Sequence, residues 1–334
     1  MLPPLISFNS AVDLKRALRA TNELSETEEK SFDKLLAAGL PPLISPTVFG
    51  LILGVSPKLI TSLATHPRRK YPYYRQYEIP KKNGGTRTIL APRTYLKAVQ
   101  KFILRRILET QGLPNWVTGF VKGKGIVQNA SVHVGARYLL NVDVKDFFPS
   151  VRTKEVFKVF YRLGFSSDMS RVLSMLCTYN NSLPQGAPTS PYLANLVFQD
   201  IDADVMKICG HFGLKYSRYA DDLTLSGEQP IDRNIVTRLA RLFESRGFRI
   251  NQKKIKITKP GQAMYVTGLV INEKVHPDRR VRRLLRAMFH RASMRPREFR
   301  KRSAHLTGWA SFVHSYDKKL GAKYLNVARS IASK

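Results

Sequence analysis

Tyr216-Ser217-Arg218-Tyr219-Ala220-Asp221-Asp222-Leu223-Thr224-Leu225-Ser226 places two adjacent acids between strand-forming residues. The run reads as strand, turn, strand, with the acids in the turn. Two neighbouring carboxylates repel one another and suit neither strand interior, so a cation must offset them, and a divalent metal is the natural candidate. An Asp-Asp pair by itself is usually just a solvated turn, and alone it reads as structural. A third acid, Asp143, ends the mostly apolar run Tyr138-Leu139-Leu140-Asn141-Val142-Asp143-Val144, which reads as a buried strand. A lone carboxylate there is costly unless it is paired or bound to metal. Three carboxylates on adjacent strands suit two Mg²⁺ ions, which take hard oxygen ligands and complete their shells with phosphate oxygens.

Working outward, helical periodicity predicts helices over 152–163, 168–178, 189–208 and 231–247, the third opened by Thr189-Ser190-Pro191. Strands are expected near 249–258 and 264–271. Upstream, Tyr77-Glu78-Ile79-Pro80 and Thr86-Arg87-Thr88-Ile89-Leu90 form a hairpin around Lys81-Lys82-Asn83-Gly84-Gly85, followed by a helix over 94–110. Residues 1 to about 70 read as short helices separated by Pro41-Pro42 and Pro57. The class is α+β.

The 334 residues carry 56 Lys and Arg against 24 Asp and Glu, a formal charge of +32. A charge of that size speaks of partners and points to a polyanion, above all nucleic acid. From Glu273 to Lys334 there are 17 Lys or Arg and four acids, on helical patterns that also carry Leu284, Leu285, Phe289, Trp309 and Phe312. No long apolar span suits a membrane crossing. Two cysteines, Cys177 and Cys209, make neither a disulfide framework nor a zinc cluster. With no signal-peptide pattern at Met1-Leu2-Pro3-Pro4-Leu5, the expectation is a cytoplasmic protein without a membrane partner.

Asp143-Val144-Lys145-Asp146-Phe147-Phe148, Leu183-Pro184-Gln185-Gly186, Tyr219-Ala220-Asp221-Asp222, Asn251-Gln252-Lys253-Lys254 and Val266-Thr267-Gly268-Leu269 follow one another in the order of a reverse transcriptase. The resemblance spans roughly residues 70–315. Asn129-Ala130-Ser131-Val132-His133 and Val266-Thr267-Gly268 resemble the two signatures of the retron branch. The resemblance implies a right-hand polymerase fold with fingers, palm (antiparallel sheet plus helices) and a helical basic thumb. Its parts would be an N-terminal helical segment over 1–70, fingers and palm over 71–271, and a thumb over 272–334.

The resemblance also implies roles. Asp143, Asp221 and Asp222 would be catalytic and would hold two Mg²⁺ ions together with the Val144 backbone, Asp143 and Asp221 bridging. Phe148 would exclude a ribose 2′-OH, with Phe147 in the core. Arg87, assisted by Lys82 or Lys81, would bind the triphosphate of a dNTP, with Gln185, Gly186 and Lys254 completing the nucleotide site. Ile255 stands where a Thr is often found after that Lys. Asn129, His133, Val266, Thr267, Gly268, Arg282, Arg283 and Arg286 would recognise RNA, although a lone histidine is usually a satisfied core or surface residue, which leaves His133 an RNA-binding or a structural element. Trp309 would be core. The implied activity is RNA-directed DNA synthesis on a cognate noncoding RNA (msr-msd type). It would prime from a guanosine 2′-OH, leave the DNA joined to the RNA, and serve antiphage defence with a separate effector protein. Competing readings are a nucleic-acid-binding scaffold that restrains an effector, and an enzyme like those of group II introns. An RNA-templated RNA polymerase is disfavoured by Phe148.

Overall fold

The computed structural model of the chain describes residues 11–21, 24–65, 73–80 and 84–333. Helix α1 (Ala11–Ala20) comes first. Ser25 and Glu28 then exchange hydrogen bonds in a capping box that starts α2 (Glu26–Ala37). Ser45 caps α3 (Pro46–Leu53), whose proline occupies the first turn. Helix α4 (Pro57–Thr65) follows. Strands β1 (Tyr74–Pro80) and β2 (Thr86–Pro92) pair antiparallel from Tyr74↔Pro92 to Pro80↔Thr86. Lys81 and Lys82 lie outside the described residues. The helix expected over 94–110 divides into α5 (Thr94–Ile103) and a π-helical turn, Leu104–Leu108.

After α6 (Ile126–Ser131) come β3 (Tyr138–Asp143), the short α7 (Phe147–Ser150), α8 (Thr153–Arg162), α9 (Ser167–Cys177) and α10 (Ser190–His211). Strands β4 (Lys215–Tyr219) and β5 (Asp222–Gly227) precede α11 (Arg233–Ser245). The remaining strands are β6 (Lys256–Thr258), β7 (Tyr265–Val266), β8 (Leu269–Val270) and β9 (His276–Pro277). The basic end forms α12 (Arg279–Met294), α13 (Pro296–Phe299), α14 (Ser303–Tyr316) and α15 (Lys318–Ala332).

Two strand expectations need correction. Over 249–258 the pairing is interrupted: Ile250 bridges Val144, with the Asn251 N–H donating to the Asp143 carbonyl (2.7 Å), but Gln252–Lys254 then turn as a 3₁₀ segment before β6. The single strand expected over 264–271 is a tight hairpin. Thr267 (φ 47°) and Gly268 (φ 81°) both adopt the left-handed backbone that a two-residue turn of this hand requires.

By internal packing the chain divides into two compact units. One comprises Met1–Pro114, Lys145–Ala203 and Ser245–Phe248; the other comprises Asn115–Val144, Asp204–Glu244 and Arg249–Lys334. These units cut the chain differently from the three-part division expected from sequence. In the first, Leu96, Val99 and Ile103 of α5 and Leu173 and Leu176 of α9 are buried. The Gln100 side chain donates to both Tyr74 Oη (3.1 Å) and the Leu176 carbonyl (2.8 Å), fixing the foot of β1 on the helices.

The second unit is built on an antiparallel sheet in the order β4-β5-β3-β6, with β7-β8-β9 as a smaller sheet. Helix α6 packs against β4, β7 and β8. The basic helices close their own core around Leu285, Phe289, Leu306, Val313, Tyr324 and Ile331. Phe289 stacks on Tyr324 with ring centroids 3.9 Å apart. Trp309 is half-buried against this core, as expected. Each fully buried Leu or Phe contributes roughly 1.5–3 kcal/mol.

Helices α14 and α15 approach closely because Gly321 has no side chain: a Cβ there would lie 2.2 Å from His314 Cα. Gly321→Ala should therefore destabilise the chain by about 1–3 kcal/mol. Gly308→Ala, exposed on α14 with nothing within 4 Å of the added methyl, should raise stability by about 0.5–1 kcal/mol. Thermal unfolding followed by circular dichroism checks the opposite signs.

Candidate active site

Strand pairing brings the three acids together. In the β3–β5 ladder Asp143 stands directly opposite Asp222. In the β4–β5 ladder Tyr219 pairs with Asp222, which leaves Ala220 and Asp221 as a two-residue turn. Ala220 sits at φ 57°, a left-handed conformation that disfavours a residue with a Cβ by about 1–2 kcal/mol. The Val144 N–H donates to the Asp221 carbonyl (2.9 Å), so the end of β3 is tied to the turn.

Two residues that sequence reasoning missed hold this turn. Arg218 is fully buried, and its guanidinium donates to the Ala220 carbonyl at 3.0 Å. A lone arginine in a strand of aromatic and hydroxyl residues was the available signal. Gly119 presses against the same turn, where a Cβ would stand 2.4 Å from the Ala220 nitrogen. That closeness comes from residues far apart in sequence and leaves no local mark.

Asp143 is buried, Asp221 half-buried, and Asp222 exposed as a residue although its carboxyl is crowded by protein. Lys254 Nζ lies 2.7 Å from Asp143 Oδ2, and Asn251 Nδ2 lies 3.3 Å from Oδ1. The hydrogen bond to Asp143 raises the Lys254 pKa, opposed by partial burial and aided by the charges of all three acids. Burial, then the like charges of Asp221 and Asp143, push the Asp222 carboxyl up to about 6, with Lys254 opposing. Among the described residues no three acidic, His or Cys side chains stand ready as a metal cage. Asp143 is instead occupied by Lys254 and Asn251. The donor set nonetheless suits a hard divalent cation, because it offers carboxylate oxygens whose mutual repulsion such an ion relieves.

The expected nucleotide-binding residues, Lys254 apart, belong to the other unit. The Leu90 N–H donates to the Gln185 carbonyl at 2.7 Å, so β2, which carries Arg87, is joined to the Gln185–Gly186 loop. Gly186 adopts φ 121°, and a Cβ there would meet Ile89 Cγ2 at 2.8 Å and the Leu90 carbonyl oxygen at 2.9 Å. Arg87 is exposed. Phe147 is buried, its ring 4.9 Å from Phe198 and 5.3 Å from Phe148, while Phe148 is only half-buried. Of this pair, Phe147 is the core residue.

The family model described as reverse transcriptase (RNA-dependent DNA polymerase) matches residues 79–310. The Retron Ec86 reverse transcriptase of Escherichia coli is 42% identical over 254 residues, covering 74% of this chain and 77% of the relative. The chain is a retron reverse transcriptase. The Retron Mx65 reverse transcriptase of Myxococcus xanthus is 33% identical over 300 residues, 84% of this chain and 70% of that one. Among solved structures, telomerase from Candida albicans aligns at a TM-score of 0.46 and 10% identity, over 79% of this chain and 64% of that chain. Membership makes the chain an RNA-directed DNA polymerase of the α+β class that works with an RNA template, in a family that generally uses divalent metal. No single helix among the described residues is long and apolar enough to cross a membrane.

The two retron signatures require a correction. Asn129, His133 and Val266 are fully buried, so their side chains cannot touch RNA as expected. Val266 packs with Ala130, Leu139, Met264, Leu269 and Ile271. Thr267, half-buried, donates to the Ile126 carbonyl (3.2 Å), which joins the second signature to the first; Gly268 is exposed at the hairpin turn. The His133 ring lies 2.7 Å from Ser226 Oγ and 2.8 Å from Ser217 Oγ. Burial, then the charge of Lys215, push its pKa down to about 4, so the imidazole is neutral at pH 7. By contrast Arg282, Arg283 and Arg286 are all exposed on α12.

The raised Asp222 pKa has a thermodynamic sign. A carboxyl whose pKa is higher folded than unfolded contributes stability below the unfolded value near 3.8 and loses it as pH rises through about 6. With divalent cations chelated, Asp222→Asn should melt higher than the parent at pH 7.5. The two melting temperatures should converge as the pH falls towards 4, measured by differential scanning fluorimetry.

Proposed function

We propose that this reverse transcriptase copies part of a cognate structured noncoding RNA (msr-msd type) into single-stranded DNA that stays joined to the RNA. Priming is from a guanosine 2′-OH, in the bacterial cytoplasm, within an antiphage defence system that includes a separate effector protein. The reading rests on one observation above the rest: Asp143 opposite Asp222, with Asp221 beside them and Lys254 on Asp143. The retron relatives and the exposed arginines of α12 support it.

Asp143, Asp221 and Asp222, with the Val144 backbone, would hold two Mg²⁺ ions. Divalent cations there would lower the pKa of the primer hydroxyl and stabilise the departing pyrophosphate. Lys254 would release Asp143 and turn its ammonium to the triphosphate, where it can supply a proton to pyrophosphate. Arg87 would clasp the triphosphate bidentately, with Lys82 assisting, while Gln185 and Gly186 line the nucleotide. Phe148, backed by the anchored Phe147, would block a ribose 2′-OH. Arg282, Arg283 and Arg286 would take RNA phosphates, and Thr267 and Gly268 at their hairpin turn would add to RNA recognition.

Phe148→Ala should relax the preference for dNTP over rNTP by about 10- to 200-fold, the usual range for excluding one small group sterically. Competition incorporation on poly(rA)/oligo(dT) reads it, and an unchanged preference removes Phe148 from that role. The defining test is sequencing of nucleic acid that co-purifies with the protein from cells carrying its native flanking DNA. A short homogeneous DNA released by ribonuclease treatment, and absent with Asp221→Asn, is expected. Bound RNA without DNA, despite added dNTP and Mg²⁺, would leave the protein as a scaffold and defeat the catalytic assignment.

A further inference from the structure

Asn129 and His133, one helical turn apart, both connect to the hairpin that carries Asp221 and Asp222, His133 directly and Asn129 through Thr118. Ser217 pairs with Thr224 across the β4–β5 ladder, and Lys215 pairs with Ser226. Ser217 and Ser226 are therefore diagonal neighbours on adjacent strands, and His133 bridges that diagonal with hydrogen bonds of 2.8 and 2.7 Å. Being neutral, the ring donates to one serine hydroxyl and accepts from the other. A diagonal strut of this kind resists sliding of β4 along β5.

Asn129 reaches the same hairpin by a second route. Its Oδ1 accepts from the Thr118 hydroxyl at 2.8 Å, and the Thr118 N–H donates to the Arg218 carbonyl at 3.0 Å. The Arg218 N–H donates to the Trp116 carbonyl (2.8 Å), so segment 116–118 is bound to the outer side of β4. The Arg218 guanidinium then ends this path on the Ala220 carbonyl, next to Asp221.

We propose that Asn129 and His133 are positioning residues for the Asp221–Asp222 turn, and that this retron signature acts on nucleic acid through the geometry of the turn and not by contact. The proposal rests on the reading of those two acids as catalytic. Full burial excludes direct contact with RNA. Packing alone does not account for the residue types, since an apolar side chain would fill the same space without the desolvation cost of two polar groups. What the polar groups add is direction. They fix the register of β4 on β5, and a slip between these strands would deform the Ala220–Asp221 turn that joins them and so displace Asp221 from Asp222 and Asp143. Sub-ångström placement matters there, because catalysis of this kind is mostly positioning.

The test compares His133→Ala, His133→Gln and Ser226→Ala in the full chain, each checked for folding by its melting transition. Extension of oligo(dT) on poly(rA) with dTTP and Mg²⁺ gives kcat and KM, and filter binding measures affinity for a transcript of the DNA flanking the gene. His133→Ala should lower kcat by about 10- to 100-fold, the loss expected from slight misplacement of reacting groups. KM for dTTP and RNA affinity should stay within about 2-fold, since no binding contact is removed. His133→Gln, which keeps a donor and an acceptor, should recover most of the lost kcat. Ser226→Ala, which removes one hydroxyl and no bulk, should lower kcat in the same direction. A folded His133→Ala or Ser226→Ala with parental kcat overturns the proposal, and so does a loss confined to RNA affinity. Asp221→Asn runs alongside: synthesis retained there defeats the catalytic reading itself, whereas its loss with parental His133→Ala defeats only this inference.

Discussion

Asp143 and Asp222 stand opposite one another on paired strands, with Asp221 next in line, and this concentration of like charge is the constraint the palm sheet must satisfy. An antiparallel ladder places such residues so close that equal charges weaken it. The chain offsets the repulsion locally. Lys254 and Asn251 hold the Asp143 carboxylate, and backbone bonds from Val144 and Asn251 tie the end of β3 to its neighbours. The remaining imbalance appears as the raised pKa of Asp222. A site that is uncomfortable without a cation is suited to recruit one.

Backbone strain is concentrated at the same place. Ala220 takes a left-handed conformation in the two-residue turn that closes the β4–β5 ladder, and Arg218 and Gly119 close around it. Strain of this sort persists only where surrounding structure over-determines it. The buried polar groups supply that over-determination, while the exposed arginines of α12 remain open to solvent and to polyanions. Two polar populations thus stand apart: those inside hydrogen-bond to the strands around the turn, and those outside lie open to solvent.

Much of this was legible in the sequence. The strand–turn–strand around Asp221 and Asp222, the strand ending at Asp143, the β1–β2 hairpin and the helices over 153–162 and 167–177 all follow from short-range periodicity and turn chemistry. Lys254 was singled out by its motif and does meet Asp143. Reading failed where a distant partner outbid local preference. Gln252–Lys254 turn just after Ile250 bridges Val144 and so break what looked like a long strand, and Thr267 and Gly268 fold a second strand back on itself. The sequence left His133 between an RNA-binding and a structural role, because nothing local says that Thr118, Ser217 and Ser226 enclose Asn129 and His133.

The sequence by itself determined most of the element types, the charge that suits a polyanionic partner, and the three acids that strand pairing brings together. Those properties reside in side-chain identity and in spacing over a few residues. Only the tertiary structure decided which polar residues face solvent and which are sealed inside, and how Arg218 and Gly119 clasp the turn. Burial and close approach are set by residues brought together from remote positions, and hydrogen-bond direction exists only once those positions are fixed in space.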